Sequence, residues 1–112
     1  MNPLMALFTV NNALTAPTLT GLNLVAFAED VHRDLTRDNK IRSRTINMHR
    51  VLRYLVSRAA EQIGGYDYQT VSDLAEQLMR VATYQDKQQY KELAIHVNRI
   101  IVRRRPSNVA LH

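Results

Sequence analysis

Cysteine is missing altogether from this 112-residue chain, which removes disulfide frameworks, thiolate nucleophiles and Cys-ligated zinc without fixing the compartment. Charge is missing from the first quarter. Met1 to Ala28 hold no Asp, Glu, Lys or Arg, while all fifteen basic and all ten acidic side chains fall between Glu29 and Arg105. Long apolar runs are missing too: the cleanest, Leu4 to Val10, is followed by Asn11, Asn12, Pro17, Gly21 and Asn23, whereas a bilayer span needs roughly 20 mostly apolar residues. Ala26-Phe27-Ala28 resembles a cleavage site, yet no basic residue opens the chain as a secretory signal requires. These absences predict no membrane span, no secretion and a cytoplasmic protein, either free or built into a larger particle.

The residues of catalysis and metal binding are sparse in the same way. No two of His32, His49, His96 and His112 stand four apart, the spacing that puts two metal ligands on one helix face. His32 with Glu29 and Asp30 is the nearest thing to a ligand set, but acids at a helix start serve the helix dipole. With three glycines in all there is no phosphate-cradling loop and no nucleophile elbow, and Gly64-Gly65 reads as a helix terminator. The expectation is a non-enzymatic protein with no metal and no cofactor.

What is present points to helices. A hydrophobic content of 46% over this length describes one globular domain with a modest core. Leu24, Ala28, Val31 and Leu35 recur at helical steps, predicting a helix from about Leu22 to Thr36 with Asn39 able to close it. Ser43 or Thr45 caps the next, whose stripe is Met48, Val51, Leu52, Leu55, Ala59 and Ile63 and whose outer face carries Asn47, Arg50, Arg53, Tyr54, Ser57 and Arg58. Tyr66 to Gln69 reads as a turn. Thr70 then caps a helix lined by Val71, Leu74, Ala75, Leu78 and Ala82. Asp86 caps another lined by Tyr90, Leu93, Ala94, Val97 and Ile101 and ended by Pro106. The break at Thr83 to Gln85 is weak, so one continuous helix is the alternative. Leu52, Leu55, Leu74, Leu78, Leu93 and Val97 are the expected core.

The predicted architecture is all-α: a small bundle of three to five helices at 21–105, an apolar uncharged N-terminal arm at 1–20 and a tail at 106–112. Asn2-Pro3 suits a helix start, so the arm is either a short helix over Leu4 to Leu14 or an extended strap. A body this small leaves arm surface to cover. Leu4, Leu7, Phe8, Val10 and Leu14 are therefore expected to bind a partner, either a second copy in a homo-oligomer or another protein.

Charge is distributed in blocks. Glu29 and Asp30 open with two negative charges, residues 33–58 hold eight basic and two acidic side chains, 61–92 hold three and six, and 99–105 close with four arginines, for a net +5. Arginine supplies twelve of the fifteen positive charges, and its planar fork suits bidentate contact with phosphate or carboxylate. Arg37, Lys40, Arg42 and Arg44 crowd a loop, Arg50, Arg53 and Arg58 continue along the next helix with Tyr54 as a stacking surface, and Arg103, Arg104 and Arg105 form a second cluster. These eleven are the candidate nucleic-acid contacts, with DNA or RNA as the partner. Thr70 to Leu78 also resembles the first helix of helix-turn-helix units, though no glycine-bearing turn follows it. The functional expectation is a small basic nucleic-acid-binding protein, dimeric, with a regulatory use within its reach. The alternative is a structural or adaptor subunit of a larger assembly, such as a virion or secretion complex, docking through the arm.

Overall fold

The computed structural model describes residues 2–37 and 45–104. Within them the chain is an all-α bundle of five helices with one very small sheet: α1 Pro3–Ala6, β1 Thr9–Val10, β2 Ala13–Leu14, α2 Leu24–Arg37, α3 Met48–Gln62, α4 Tyr68–Val81 and α5 Tyr84–Arg103. No helix among the described residues is long and apolar enough to cross a membrane. Asn39, Ser43 and Pro106, given capping or terminating roles above, lie outside the described residues, as does the 106–112 tail.

α5 organises the bundle. Its buried face, Tyr90, Leu93, Ala94, Val97, Ile100 and Ile101, packs chiefly on α2 and also on α3. α3 in turn packs on α4 through the hairpin that Gly64 and Gly65 close, at φ +109° and +86°. Gly65 N donates to Ala60 O at 2.7 Å, the closing bond of a Schellman-type helix end, which glycine makes without a Cβ penalty. Two side chains of α5 also hold irregular chain. Asn98 Oδ1 accepts from Ile46 N at 2.7 Å while its Nδ2 donates to Ile46 O at 2.9 Å, satisfying both backbone groups of the segment that leads into α3. The fully buried Tyr90 donates its hydroxyl to the Pro17 carbonyl.

Local signals set the helix boundaries, some of them differing from the expected ones. α2 begins after Asn23, whose Oδ1 accepts from Ala26 N at 3.1 Å. α3 is capped by Asn47 and not by Thr45, Asn47 Oδ1 accepting from Arg50 N at 2.9 Å. α4 is capped by Asp67, three residues ahead of the expected Thr70, whose backbone N–H is itself the donor to Asp67 Oδ1 at 2.9 Å. Between α4 and α5 there is a true break. Ala82 is extended, and Thr83 with Asp86 forms a reciprocal capping box, so Asp86 is the third residue of α5 and not its cap.

Of the expected core, Leu52, Leu74, Leu78, Leu93 and Val97 are buried and Leu55 is half-buried. The α3 stripe is rotated from its expected phase. Tyr54, Val56 and Ala60 are buried, Ala59 is half-buried and Ile63 is exposed, because α3 meets α4 on one side and α5 on another. The helix-turn-helix resemblance fails in three dimensions, since α4 packs principally on α3 and only two residues separate it from the 20-residue α5.

The arm belongs to the core of its own chain. Asn2 caps α1 with Pro3 at its first position, and α1 leads into a two-residue hairpin. Val10 pairs with Ala13, Thr9 pairs with Leu14, and Asn11 and Asn12 turn the corner at φ +52° and +64°. Two successive positive φ values make the turn type I′, which asparagine tolerates better than most residues. Leu4 is fully buried, Ala16 and Leu19 are buried, and Met5, Phe8 and Leu14 pack against the core from its edge. The arm is thus a one-turn helix, a hairpin and a strap in sequence.

This packing makes the arm a determinant of stability. Deleting residues 1–20 removes Leu4, Ala16, Leu19 and the acceptor of Tyr90. Loss of a single buried Leu side chain costs about 2 to 5 kcal/mol against a typical total of about 5 to 15 kcal/mol. The deletion should therefore remove much of the chain's urea resistance and its helical circular dichroism; an unchanged unfolding midpoint would show that the arm is dispensable.

A second prediction concerns His32, buried on α2 with its Nδ1 unpartnered and with Glu29, Arg103 and Arg104 around it. Burial, and then Arg104, hold its pKa below the usual histidine value, so the folded state disfavours the imidazolium. The unfolded chain binds the proton more readily. Stability is therefore fully present above about pH 6.5 and falls as pH drops below it toward the folded pKa. Thermal melts from pH 7.5 to 5 should show His32→Leu losing less stability than the parent over this window.

Candidate nucleic-acid interface

The candidate basic side chains among the described residues fold into three settings. α3 presents Arg50, Arg53, Ser57 and Glu61 at spacings of three, four and four, and all four line one cleft of about 490 Å³. Leu35 of α2, Tyr54 and Ala60 of α3, Gly65 and Tyr66 of the connecting turn, and Tyr68 and Val71 of α4 complete its walls. The cleft exists because the Gly64-Gly65 close returns the chain beside α3 and leaves Tyr66 and Tyr68 facing its arginines.

Neither Arg50 nor Arg53 is neutralised by a carboxylate among the described residues. Both are half-buried. Burial, then repulsion from Arg53, lowers the pKa of Arg50. Arg50 also lies in the first turn of α3, where the helix dipole already presents positive charge. Arg53 Nη1 donates to Tyr68 Oη at 2.6 Å, and its guanidinium carbon lies 5.9 Å from the Tyr68 ring centre. Its shielded Nε has no acceptor. Among the described residues Glu61 is the one carboxylate lining the cleft, eleven residues from Arg50 or roughly 16 Å along the helix axis.

A second group is committed to holding helices together. Tyr54 Oη donates to Asp34 Oδ2 at 2.6 Å and accepts from Arg58 Nη1 at 3.0 Å, while Arg58 lies 3.8 Å from the same carboxylate and over the Tyr54 ring at 5.8 Å. Phe27 packs against that ring at a centroid distance of 6.5 Å. Tyr54 is therefore a buried joint between α2 and α3 that also borders the cleft, not the exposed stacking surface expected. Burial and the bond to Asp34 push its pKa up to about 12. Arg37 approaches Asp34 at 4.0 Å.

The third group is Arg103 and Arg104, which close on Glu29 at 3.4 and 3.1 Å and tie the end of α5 to the start of α2. Lys40, Arg42, Arg44 and Arg105 lie outside the described residues. Of the expected partner-binding positions, Leu4 is spent in the core, Phe8 and Leu14 are partly covered by it, and Leu7 and Val10 are exposed at 52% and 57%.

Tyr66 and Tyr68 escape sequence reasoning, which treats Tyr66 to Gln69 as a plain turn. The available signal is an aromatic pair directly after a Gly-Gly helix end, where the chain returns beside an arginine-bearing face. Among the described residues no group of three His, Asp or Glu side chains gathers as a metal-binding cluster.

Tyr54 generates a further prediction. In alkaline titration followed by tyrosinate absorbance, one step near pH 12 should disappear in Tyr54→Phe. Because its folded pKa is raised above the unfolded value of about 10, the linked stability is present below pH 10 and is lost as pH climbs toward 12.

Compared with known proteins, the chain matches no protein-family model, and neither a curated protein nor a solved structure is similar to it.

Proposed function

We propose that the protein binds nucleic acid, catalysing no reaction on it, through the face of α3 that bears Arg50 and Arg53. The observation that carries this reading is the pair itself: two guanidiniums, half-buried side by side at the positive end of a helix, with no carboxylate among the described residues to neutralise them. A phosphate between them relieves the repulsion and accepts from their remaining N–H groups. Arg58, Arg103 and Arg104 contribute less, because each already answers an acidic side chain. On this reading the protein works in the cytoplasm or inside a larger particle, where nucleic acid is at hand.

A second reading, self-association or docking into a larger assembly, is favoured by one observation: Leu7 and Val10 stand exposed on the arm although the rest of it is packed. The two readings separate experimentally. Replacing both Arg50 and Arg53 with Ala should weaken binding of labelled DNA or RNA. It should also flatten the dependence of log affinity on log salt by about 0.7 to 0.9 for each phosphate that is no longer neutralised, with the sedimentation mass unchanged. Arg103→Ala with Arg104→Ala should change affinity far less. If nucleic acid never binds at low salt while the protein is folded, or if the Arg50 and Arg53 substitutions dissociate an oligomer instead, the assembly reading replaces the first.

A further inference from the structure

The cleft beside the arginine pair has more specific chemistry than a phosphate-binding surface needs. A flat basic patch suffices to hold a duplex by its backbone, whereas here the cations line a concave space together with tyrosines. Its volume of about 490 Å³ lies in the range of pockets that enclose small ligands. That is room for one nucleotide and not for stacked base pairs. Tyr68 is 66% exposed although it sits in the first turn of a helix beside the core. The Arg53 guanidinium meets the ring at its hydroxyl end, its carbon 5.9 Å from the ring centre, which leaves an aromatic surface in water for a flat partner. Tyr66 is half-buried at the same cleft, and Leu35 and Val71 supply apolar contact. Arg53 gives one of its five N–H donors to Tyr68 Oη, so it braces the ring while keeping donors for an anion.

We propose that this cleft takes one unstacked base of a single-stranded nucleic acid, laid against Tyr68 with its phosphate held between Arg50 and Arg53. The inference rests on the nucleic-acid reading above and sharpens it. Duplex bases are already paired and stacked, so a duplex can offer the arginines its phosphates but cannot offer the tyrosines a base face. Base-on-aromatic stacking tolerates any sequence, because every base has a π-face. The expected ligand is therefore a single strand with little sequence preference.

The test uses the full chain and fluorescence anisotropy at low salt, with labelled oligothymidylate and oligouridylate of about a dozen nucleotides and a hairpin duplex of similar length. Single strands should bind about tenfold or more tightly than the duplex. Tyr68→Ala should lose about tenfold for single strands, the effect of one stacked base, and little for the duplex; Tyr68→Phe, which keeps the ring, should retain single-strand affinity. The chain has five tyrosines and no tryptophan, so its own emission reports the contact. Single strands should quench it, and the quench should shrink in both Tyr68 variants.

Equal affinity for duplex and single strand, or Tyr68→Ala binding single strands as well as the parent, overturns the cleft inference and leaves the arginine-based reading standing. Absence of binding to every form overturns both. Thymidine monophosphate competing as well as the strand at equal nucleotide concentration would assign the cleft to free nucleotides and overturn the single-strand proposal.

Discussion

Burial of one face of α5 is the constraint from which the rest of the arrangement follows. That 20-residue helix supplies six buried side chains, packs on both α2 and α3, and uses Tyr90 and Asn98 to fix segments that have no regular structure of their own. Irregular chain beside a core is costly unless its backbone groups find partners. Asn98 satisfies a donor and an acceptor of Ile46 together, so the start of α3 is positioned by a single amide. Because Arg50 and Arg53 lie just beyond that start, the geometry of the basic cleft descends from a residue near the other end of the sequence.

A second joint sets the opposite wall. Asp34, Tyr54 and Arg58 link α2 to α3 at bond distances of 2.6 and 3.0 Å. In forming it, the fold consumes Arg58, the third arginine of α3. The joint divides α3 into a structural half and an available half, although both read alike as basic surface. Charge count therefore overstates the cationic area open to a polyanion, and what decides availability is where the acidic residues end up. Asp34 and Glu29 between them engage Arg37, Arg58, Arg103 and Arg104.

The helices are legible in the sequence because their periodicity is strong and their ends carry local chemistry. Leu24 to Leu35 and Val71 to Leu78 lie on the faces their spacing assigns. Less legible is anything decided between elements. The phase of α3 departs from its stripe because a helix with neighbours on two sides has a buried arc wider than one stripe, which brings Tyr54, Val56 and Ala60 inside. The arm departs for a related reason: lack of charge suggests surface awaiting a partner, whereas a small bundle uses the same apolar residues to finish its own core. Asn11-Asn12 is a readable turn signal between Val10 and Ala13 that a search for helical periodicity passes over. In the site, the arginines are visible by composition, whereas Tyr66 and Tyr68 gain meaning only once the hairpin brings them opposite α3.

The packed arm also changes how the two functional readings weigh against each other. An arm free in solution would have demanded a partner and made assembly the leading explanation of the 28-residue charge gap. With Leu4, Ala16 and Leu19 inside and the strap held by Tyr90, the gap is largely accounted for within one chain: side chains that enter a core cannot carry unpaired charge. One imbalance that remains is electrostatic and sits elsewhere, at Arg50 and Arg53, which no carboxylate among the described residues answers. A half-buried like-charge pair at a helix N-terminus opposes stability. The fold keeps it beside a tyrosine-lined cavity whose carboxylate, Glu61, pairs with neither arginine, and a bound anion would make that arrangement favourable.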